Sequence, residues 1–103
     1  MSMVTVSKYD SFNQRRYSNP WVAIVSKTTG KIDFSTRCGG YTGGYGKGDA
    51  GELYVIDPQV GAVYAYGQKD YRGNNGGYQY AKYIGDGRFE DVDKSDLIAA
   101  LNS

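Results

Sequence analysis

The sequence predicts a mainly β fold of the α+β type: an antiparallel β-meander or curved sheet of six to seven short strands with one short C-terminal helix. Three observations lead to this prediction. Short runs of β-branched and aromatic residues recur along the chain, glycine-containing turn signals separate them, and only the last segment has a helical pattern. The length of 103 residues fits a single domain, residues 1–103.

The first strand is predicted near the N-terminus, where Val4 and Val6 alternate with polar neighbours. Such alternation is typical of a strand with one buried face. A polar stretch then runs from residue 10 to residue 19 and is closed by Pro20, which favours an extended conformation for the residue before it. We therefore expect no helix across this point.

Three hairpins are predicted from pairs of strand-like runs that flank a turn signal. The turn signals are Gly30, the segment from Pro58 to Gly61, and the Gly85-Asp86-Gly87 tripeptide. The paired runs are 21–26 with 31–37, 52–57 with 62–66, and 78–84 with 88–92. Strand alternation places three aromatic-containing pairs on common faces: Ile32 with Phe34, Tyr64 with Tyr66, and Tyr78 with Tyr80.

Glycine-rich segments predict two long loops, 39–51 and 67–77. Seven of the thirteen positions in 39–51 are glycine, and glycine loses the most backbone entropy when it is ordered in a strand. The chain ends differently: Asp93 is a candidate N-cap for a helix over 97–101, on which Leu97 and Leu101 share one face. Such a short helix needs to pack on the sheet to be stable.

The residue types exclude several kinds of catalytic and metal site. The chain has no histidine and one cysteine, Cys38, so a structural zinc site, a Ser-His-Asp triad and a Cys-His pair are excluded. The pattern Gly46-x-Gly48-x-x-Gly51 is followed by a predicted strand, whereas the dinucleotide fingerprint requires a helix there. We expect a protein that is not an enzyme and has no cofactor and no metal.

The sequence also suggests a compartment. It has no apolar stretch of the length that a signal peptide or a membrane span requires, and a lone cysteine suits a reducing interior. We expect a cytoplasmic protein that does not enter a membrane.

The candidate functional surface combines tyrosine and basic residues near the glycine-rich loops. Tyrosine and arginine contribute much of the binding energy of protein interfaces, and tyrosine with glycine is typical of adaptable binding loops. The candidate partner-binding residues are Arg15, Arg16, Tyr17, Tyr41, Tyr45, Lys69, Tyr71 and Arg72. The same residue types also suit single-stranded nucleic acid, although a net charge of +1 falls short of a strongly basic footprint.

Charge is distributed unevenly along the chain. Residues 1–48 carry seven basic and two acidic side chains, a net charge of +5, and residues 49–103 carry five basic and nine acidic ones, a net charge of −4. Such a division suits docking on a charged partner, or disappears when the folded chain mixes its halves in space. The acidic residues between 86 and 96 fit solvation and helix capping.

Three segments carry a family resemblance: residues 8–12, residues 14–18 with 20–22, and residues 66–73. They resemble a family of small proteins encoded on conjugative elements and phages of Gram-positive bacteria. Accessory proteins of this size from such elements include type II-A anti-CRISPR inhibitors. The resemblance implies an inhibitor that binds a host defence effector such as Cas9, or its guide-RNA complex, and blocks its function. The alternative is a small accessory protein that binds RNA or single-stranded nucleic acid. Either form is expected as a monomer or a homodimer.

Overall fold

The computed structural model describes residues 2–9, 19–37, 39–41, 51–69 and 75–102. Within these ranges the chain forms eight strands, a 3-10 turn and one α-helix. Their bounds are β1 Met3–Tyr9, β2 Asn19–Val25, β3 Ile32–Arg37, β4 Gly39–Tyr41, β5 Gly51–Ile56, β6 Val63–Lys69, β7 Asn75–Gly85, β8 Arg88–Val92, the 3-10 turn Lys94–Asp96 and α1 Leu97–Asn102.

The strands form two antiparallel sheets. The smaller sheet has the order β1-β5-β4, and the larger has the order β3-β2-β6-β7-β8. Arg37 ends β3 in the larger sheet and Gly39 begins β4 in the smaller one, so the chain changes sheets there. The predicted class, mainly antiparallel β with a short C-terminal helix, is confirmed. Only β6, β7 and β8 follow one another as a meander within one sheet.

The core between the two sheets follows from strand alternation. Val22 on β2 and Tyr64 and Tyr66 on β6 face the smaller sheet, where they pack with Leu53 and Val55 of β5. All five are buried. Burial of such apolar side chains contributes about 1.5–3 kcal/mol each, so this layer holds the sheets together.

The opposite face of the larger sheet is covered in part by α1. Leu101 is 5% exposed and packs with Val25 and Val63. The Lys82 ammonium donates a hydrogen bond to the Ala100 carbonyl oxygen at 3.2 Å, which places a cation at the helix C-terminus. The predicted helix is therefore confirmed, and it packs on the sheet as its length requires.

Asp93 occupies the predicted N-cap position, but it caps the helix with its main-chain carbonyl and not with its side chain. Its backbone is extended, and its carbonyl oxygen accepts a hydrogen bond from the Asp96 amide at 2.9 Å. The Asp93 side chain makes no capping hydrogen bond. The helix consequently begins with the tighter 3-10 turn before it becomes α-helical at Leu97.

Two of the three predicted hairpins are confirmed. β2 pairs with β3, and β7 pairs with β8. The β7–β8 turn needs its glycines, because φ is positive at Gly85 (92°), Asp86 (55°) and Gly87 (73°). The β2–β3 turn, the β5–β6 connection and the β7–β8 turn lie at one end of the sheets, which we call the turn end.

The predicted hairpin between 52–57 and 62–66 is wrong. β5 pairs with β1 and β4, whereas β6 pairs with β2 and β7 in the other sheet. The turn signal marks a real reversal, but a connection of this length can also cross between two layers about 10 Å apart. Asp57 is fastened to the N-terminal segment instead, since its amide donates to the Ser2 carbonyl and its carboxylate accepts from the Ser2 amide, both at 2.7 Å.

Parts of the two segments predicted as loops are strands. Gly39–Tyr41 forms β4 on β5, and Gly51 already belongs to β5. Residues 67–69 belong to β6, and residues 75–77 belong to β7. Pairing with neighbouring strands offsets the entropic cost that argued against glycine in these positions. Residues 42–50 and 70–74 lie outside the described residues.

We predict that Leu101→Ala lowers the free energy of unfolding by about 2–4 kcal/mol, because it leaves a cavity between α1 and the sheet. Ile98→Ala is the matched control on the same helix, since Ile98 is 66% exposed, and it should change stability by less than about 0.5 kcal/mol. Urea denaturation measures both. Equal effects of the two substitutions would contradict the packing of α1 described above.

Candidate functional site

Aromatic rings meet across three adjacent strands of the larger sheet. Trp21 on β2 pairs with Gly67 on β6, and Gly67 pairs with Tyr78 on β7. Gly67 is in phase with Val63 and Ala65 along β6, so it lies on the helix side of the sheet with them. Since glycine places no side chain between the neighbouring rings, the Trp21 and Tyr78 ring centroids come to 6.3 Å across it.

Phe34 joins these rings from the edge strand β3. Ile24 pairs with Asp33, but the next register position of β2, Ala23, pairs with Arg37, so residues 34–36 are inserted as a bulge. The Asp33 carboxylate accepts hydrogen bonds from the Ser35 amide, at 3.0 Å, and from the Ser35 hydroxyl. Bulges re-aim side chains at sheet edges, and here the Phe34 ring stands edge-on against Trp21, 4.9 Å between centroids at 60°.

Tyr78, Tyr80 and Lys94 complete the arrangement. The Tyr78 and Tyr80 rings are 5.6 Å apart at 81°, an edge-to-face contact. The Lys94 ammonium, in the 3-10 turn, lies 4.3 Å from the Tyr78 ring centroid, within the range of a cation–π interaction. We call the four rings the aromatic row: Phe34, Trp21, Tyr78 and Tyr80.

Exposure differs sharply along the aromatic row. Trp21 is 3% exposed, whereas Phe34, in contact with it, is 48% exposed. Tyr78 is half-buried. The row is therefore a surface with a buried indole as its floor and an exposed ring at its edge.

The indole N–H of Trp21 is a buried donor that the rest of the described chain does not use. Its Nε1 atom is inaccessible to solvent, and among the described residues no acceptor lies within hydrogen-bond distance. Leaving such a donor buried costs about 1–3 kcal/mol, and few are tolerated in a native protein.

The Tyr80 hydroxyl is perturbed by its surroundings. Burial is the largest cause that raises its pKa above the ordinary tyrosine value, and the hydrogen bond with Tyr78 and the proximity of that second hydroxyl raise it further. The neutral phenol is therefore favoured up to alkaline pH.

The larger sheet also carries a groove with an acidic rim, next to the helix. The groove has a volume of about 410 Å³ and lies between β7, β8 and α1, with Glu90, Asp91, Asp93 and Asp96 among its lining residues. Among the described residues, no group of three or more histidine, cysteine, aspartate or glutamate side chains is placed to hold a metal ion. None of the helical residues in the described ranges forms a segment long and apolar enough to cross a membrane.

Most of the candidate residues from the sequence analysis fall outside the described part of the chain. Tyr41 is the last residue of β4 and Lys69 the last of β6, both at the end of the sheets opposite the turn end. Their side chains are not among those described. The six that lie outside the described residues are Arg15, Arg16, Tyr17, Tyr45, Tyr71 and Arg72. Their role in partner binding stays a prediction.

The aromatic row itself was not recognised as a site in the sequence. Alternation correctly placed Phe34 with Ile32, and Tyr78 with Tyr80, because both pairs pack on the helix side of the sheet. The missing information was the pairing of β2 with β6, whose residues are far apart in the sequence. A lone Gly67 inside an aromatic strand run was the available signal of a close approach between neighbours.

These features define a small two-sheet antiparallel β protein whose larger sheet carries a short helix and an aromatic surface on the same face. Comparisons of the chain with protein-family models, with curated proteins and with solved structures find no match. The resemblance to small mobile-element proteins therefore stays a prediction.

We predict that Phe34→Ala exposes the single tryptophan. The emission of Trp21 should shift to longer wavelength and acrylamide should quench it several-fold more efficiently, because the ring that stands against the indole is removed. Phe89→Ala is the control, since Phe89 packs on Tyr64 and Tyr83 on the other face of the sheet. Equal quenching in the two variants would contradict the contact.

We predict that Tyr80 makes unfolding easier at alkaline pH. Its pKa is higher in the folded than in the unfolded chain, so the folded state holds the proton more tightly. The associated stability is fully present below about pH 10 and is lost as the pH rises through the folded pKa. The difference in unfolding free energy between the wild type and Tyr80→Phe should shrink above about pH 10. A difference that stays constant at higher pH would contradict the assignment.

Proposed function

We propose that the protein is a non-enzymatic binding protein that docks on a protein partner through the aromatic row. The observation that supports this proposal is the pairing of the half-exposed Phe34 ring with the buried Trp21 ring beside Tyr78 and Lys94. Aromatic side chains in pre-formed clusters contribute a large share of binding energy at protein interfaces.

The arrangement also lowers the cost of binding. Tyr78 is held between Trp21, Tyr80 and Lys94. Side chains fixed by their neighbours lose little rotamer freedom when a partner arrives, so more of the contact energy remains as affinity. A surface of this kind favours recognition by shape and apolar contact.

The charges around the aromatic row favour a protein partner over single-stranded nucleic acid. Lys94 lies between Asp93 and Asp96 in the chain, and all three are exposed. Proteins that bind single strands combine stacking rings with a positively charged groove that follows the phosphates. Among the described residues, the charge found at the rings is the single cation of Lys94, which does not amount to such a groove.

The specific form of this proposal comes from the family resemblance. In this form, the proposal is that the protein is cytoplasmic, originates from a mobile element, and binds and inhibits Cas9 or its guide-RNA complex. An inhibitor of this kind acts by competing with guide RNA, target DNA or the moving nuclease domain.

The test measures binding of the purified protein to a type II-A Cas9, with and without guide RNA. We expect the double variant Phe34→Ala, Tyr78→Ala to bind at least about tenfold more weakly, because it removes the exposed Phe34 ring and the half-buried Tyr78 ring from the interface. Val60→Ala is the control, since Val60 is 73% exposed and lies at the turn end.

Two results would overturn parts of the proposal. Wild-type affinity in the double variant would remove the aromatic row from the interface. Absence of any binding to Cas9, combined with a salt-sensitive mobility shift of single-stranded RNA, would replace the protein partner by nucleic acid.

A further inference from the structure

The groove between β7, β8 and α1 has an apolar part to its lining. Ile84 of β7, Val92 of β8, and Ala99 and Ala100 of α1 contribute to it. Ile84 is 40% exposed and Ala99 is also exposed, so this apolar surface is open to solvent. The volume of about 410 Å³ is near the lower end of the range of about 300–1,000 Å³ that ligand pockets span, so the groove suits a single side chain.

The polar part of the lining is mainly acidic. Glu90 of β8, Asp93 after that strand and Asp96 of the 3-10 turn contribute to it, and all three residues are exposed. Glu90 pairs in register with Lys82, whose side chain reaches α1. Since residues that pair across a sheet point to the same face, Glu90 lies on the helix side with Lys82.

Two other charged residues of the lining have partners elsewhere. The Lys82 ammonium donates a hydrogen bond to the Ala100 carbonyl oxygen at 3.2 Å, at the negative end of the helix. The Asp91 carboxylate accepts a hydrogen bond at 3.3 Å from the hydroxyl of Tyr66, whose ring packs on the opposite face of the sheet. The Asp93 side chain, in contrast, makes no capping hydrogen bond to the helix. The lining therefore keeps an excess of negative charge.

This combination selects a ligand that is apolar along its length and positively charged at its end. Lysine and arginine side chains have this form, since they bury an aliphatic stem along apolar surface and keep the charged head in a polar environment. Arginine fits better, because its planar guanidinium offers several donors in fixed directions and can join carboxylates of different residues. A metal ion fits less well, because no group of three acidic side chains in the described ranges is placed to hold one.

The groove and the aromatic row are neighbours on the same face of the larger sheet. Val92, which lines the groove, pairs in register with Tyr80 of the row, and both belong to the cluster on the helix side. Lys94, whose ammonium lies over the Tyr78 ring, directly follows Asp93 in the chain. A partner that covers the aromatic row therefore reaches the groove as well.

We propose that the groove beside α1 binds an arginine side chain of a protein partner. The aliphatic part of that side chain packs on Ile84 and Val92, and its guanidinium donates hydrogen bonds to the carboxylates of Glu90, Asp93 and Asp96. This inference rests on the proposed function, since it names a residue type that the partner carries beside the segment that covers the aromatic row.

The experiment compares two small probes, N-acetyl-L-argininamide and N-acetyl-L-citrullinamide, which has nearly the same shape and no charge. Binding is followed through the backbone amide signals of Val92, Asp96 and Ala99 in proton–nitrogen correlation spectra. We expect the arginine probe to move these signals in a saturable way with a Kd on the order of 1 mM at low salt. The citrulline probe should bind at least about tenfold more weakly, and added salt should weaken the arginine probe.

Charge-neutral variants separate the carboxylates from the rest of the groove. The triple variant Glu90→Gln, Asp93→Asn, Asp96→Asn should bind the arginine probe at least about tenfold more weakly and leave binding of the citrulline probe unchanged. Asp93→Asn alone should weaken the arginine probe about threefold, since it keeps the main-chain cap of the helix. Asp86→Asn is the matched control: it also removes one negative charge, but in the β7–β8 turn and outside the groove lining, and should leave the Kd unchanged.

Three outcomes would overturn the inference. The first is the absence of a saturable shift of the three groove signals at probe concentrations about tenfold above the expected Kd. The second is equal affinity for the arginine and citrulline probes, because the charge would then play no part. The third is a triple variant that binds the arginine probe as tightly as the wild type does.

The proposed function can fail separately from this inference. If Cas9 binding depends on Phe34 and Tyr78 while the arginine probe does not bind, the aromatic row stands and the arginine site is wrong. If the arginine probe binds in the groove and Cas9 does not bind, the arginine site stands and the partner is a different protein.

Discussion

The pairing of β2 with β6 is the interaction on which the rest of the structure depends. It joins the hairpin β2–β3 to the meander β6–β7–β8 and so creates the five-stranded sheet. One face of these two strands supplies Val22, Tyr64 and Tyr66 to the core against the smaller sheet. The other face supplies the floor on which the helix and the aromatic row lie, so one register determines both the core and the surface.

Local patterns were sufficient for the class of the fold and for its short-range parts. Alternation, turn glycines and the Leu97–Leu101 spacing predicted two hairpins and the helix correctly, because each depends on residues close in the sequence. The hairpin between 52–57 and 62–66 was wrong for the complementary reason. Its turn signal is local, whereas the choice between staying in a sheet and crossing to another is decided by distant partners.

The aromatic row could not be predicted for the same reason: it depends on pairing between strands that are distant in the sequence. Strand alternation placed Tyr64 with Tyr66 on a common face, and both rings pack in the core against the smaller sheet. Tyr78 belongs to a surface only because Gly67 and Trp21 lie beside it across two strands, and Lys94 reaches its ring from the following element. A prediction made one strand at a time does not bring Trp21 or Lys94 next to Tyr78, because both lie on other elements of the chain. The glycine that argued for a loop is the residue that lets the two rings approach.

The bulge 34–36 also interrupts an edge of the larger sheet. β3 is an edge strand of the larger sheet, and a long regular edge is a template on which a second chain can extend the sheet. Here the regular register of β3 is interrupted by the inserted residues, and the chain leaves the sheet after Arg37. The irregularity that presents Phe34 thus also shortens the regular stretch of β3 on which a second strand could pair.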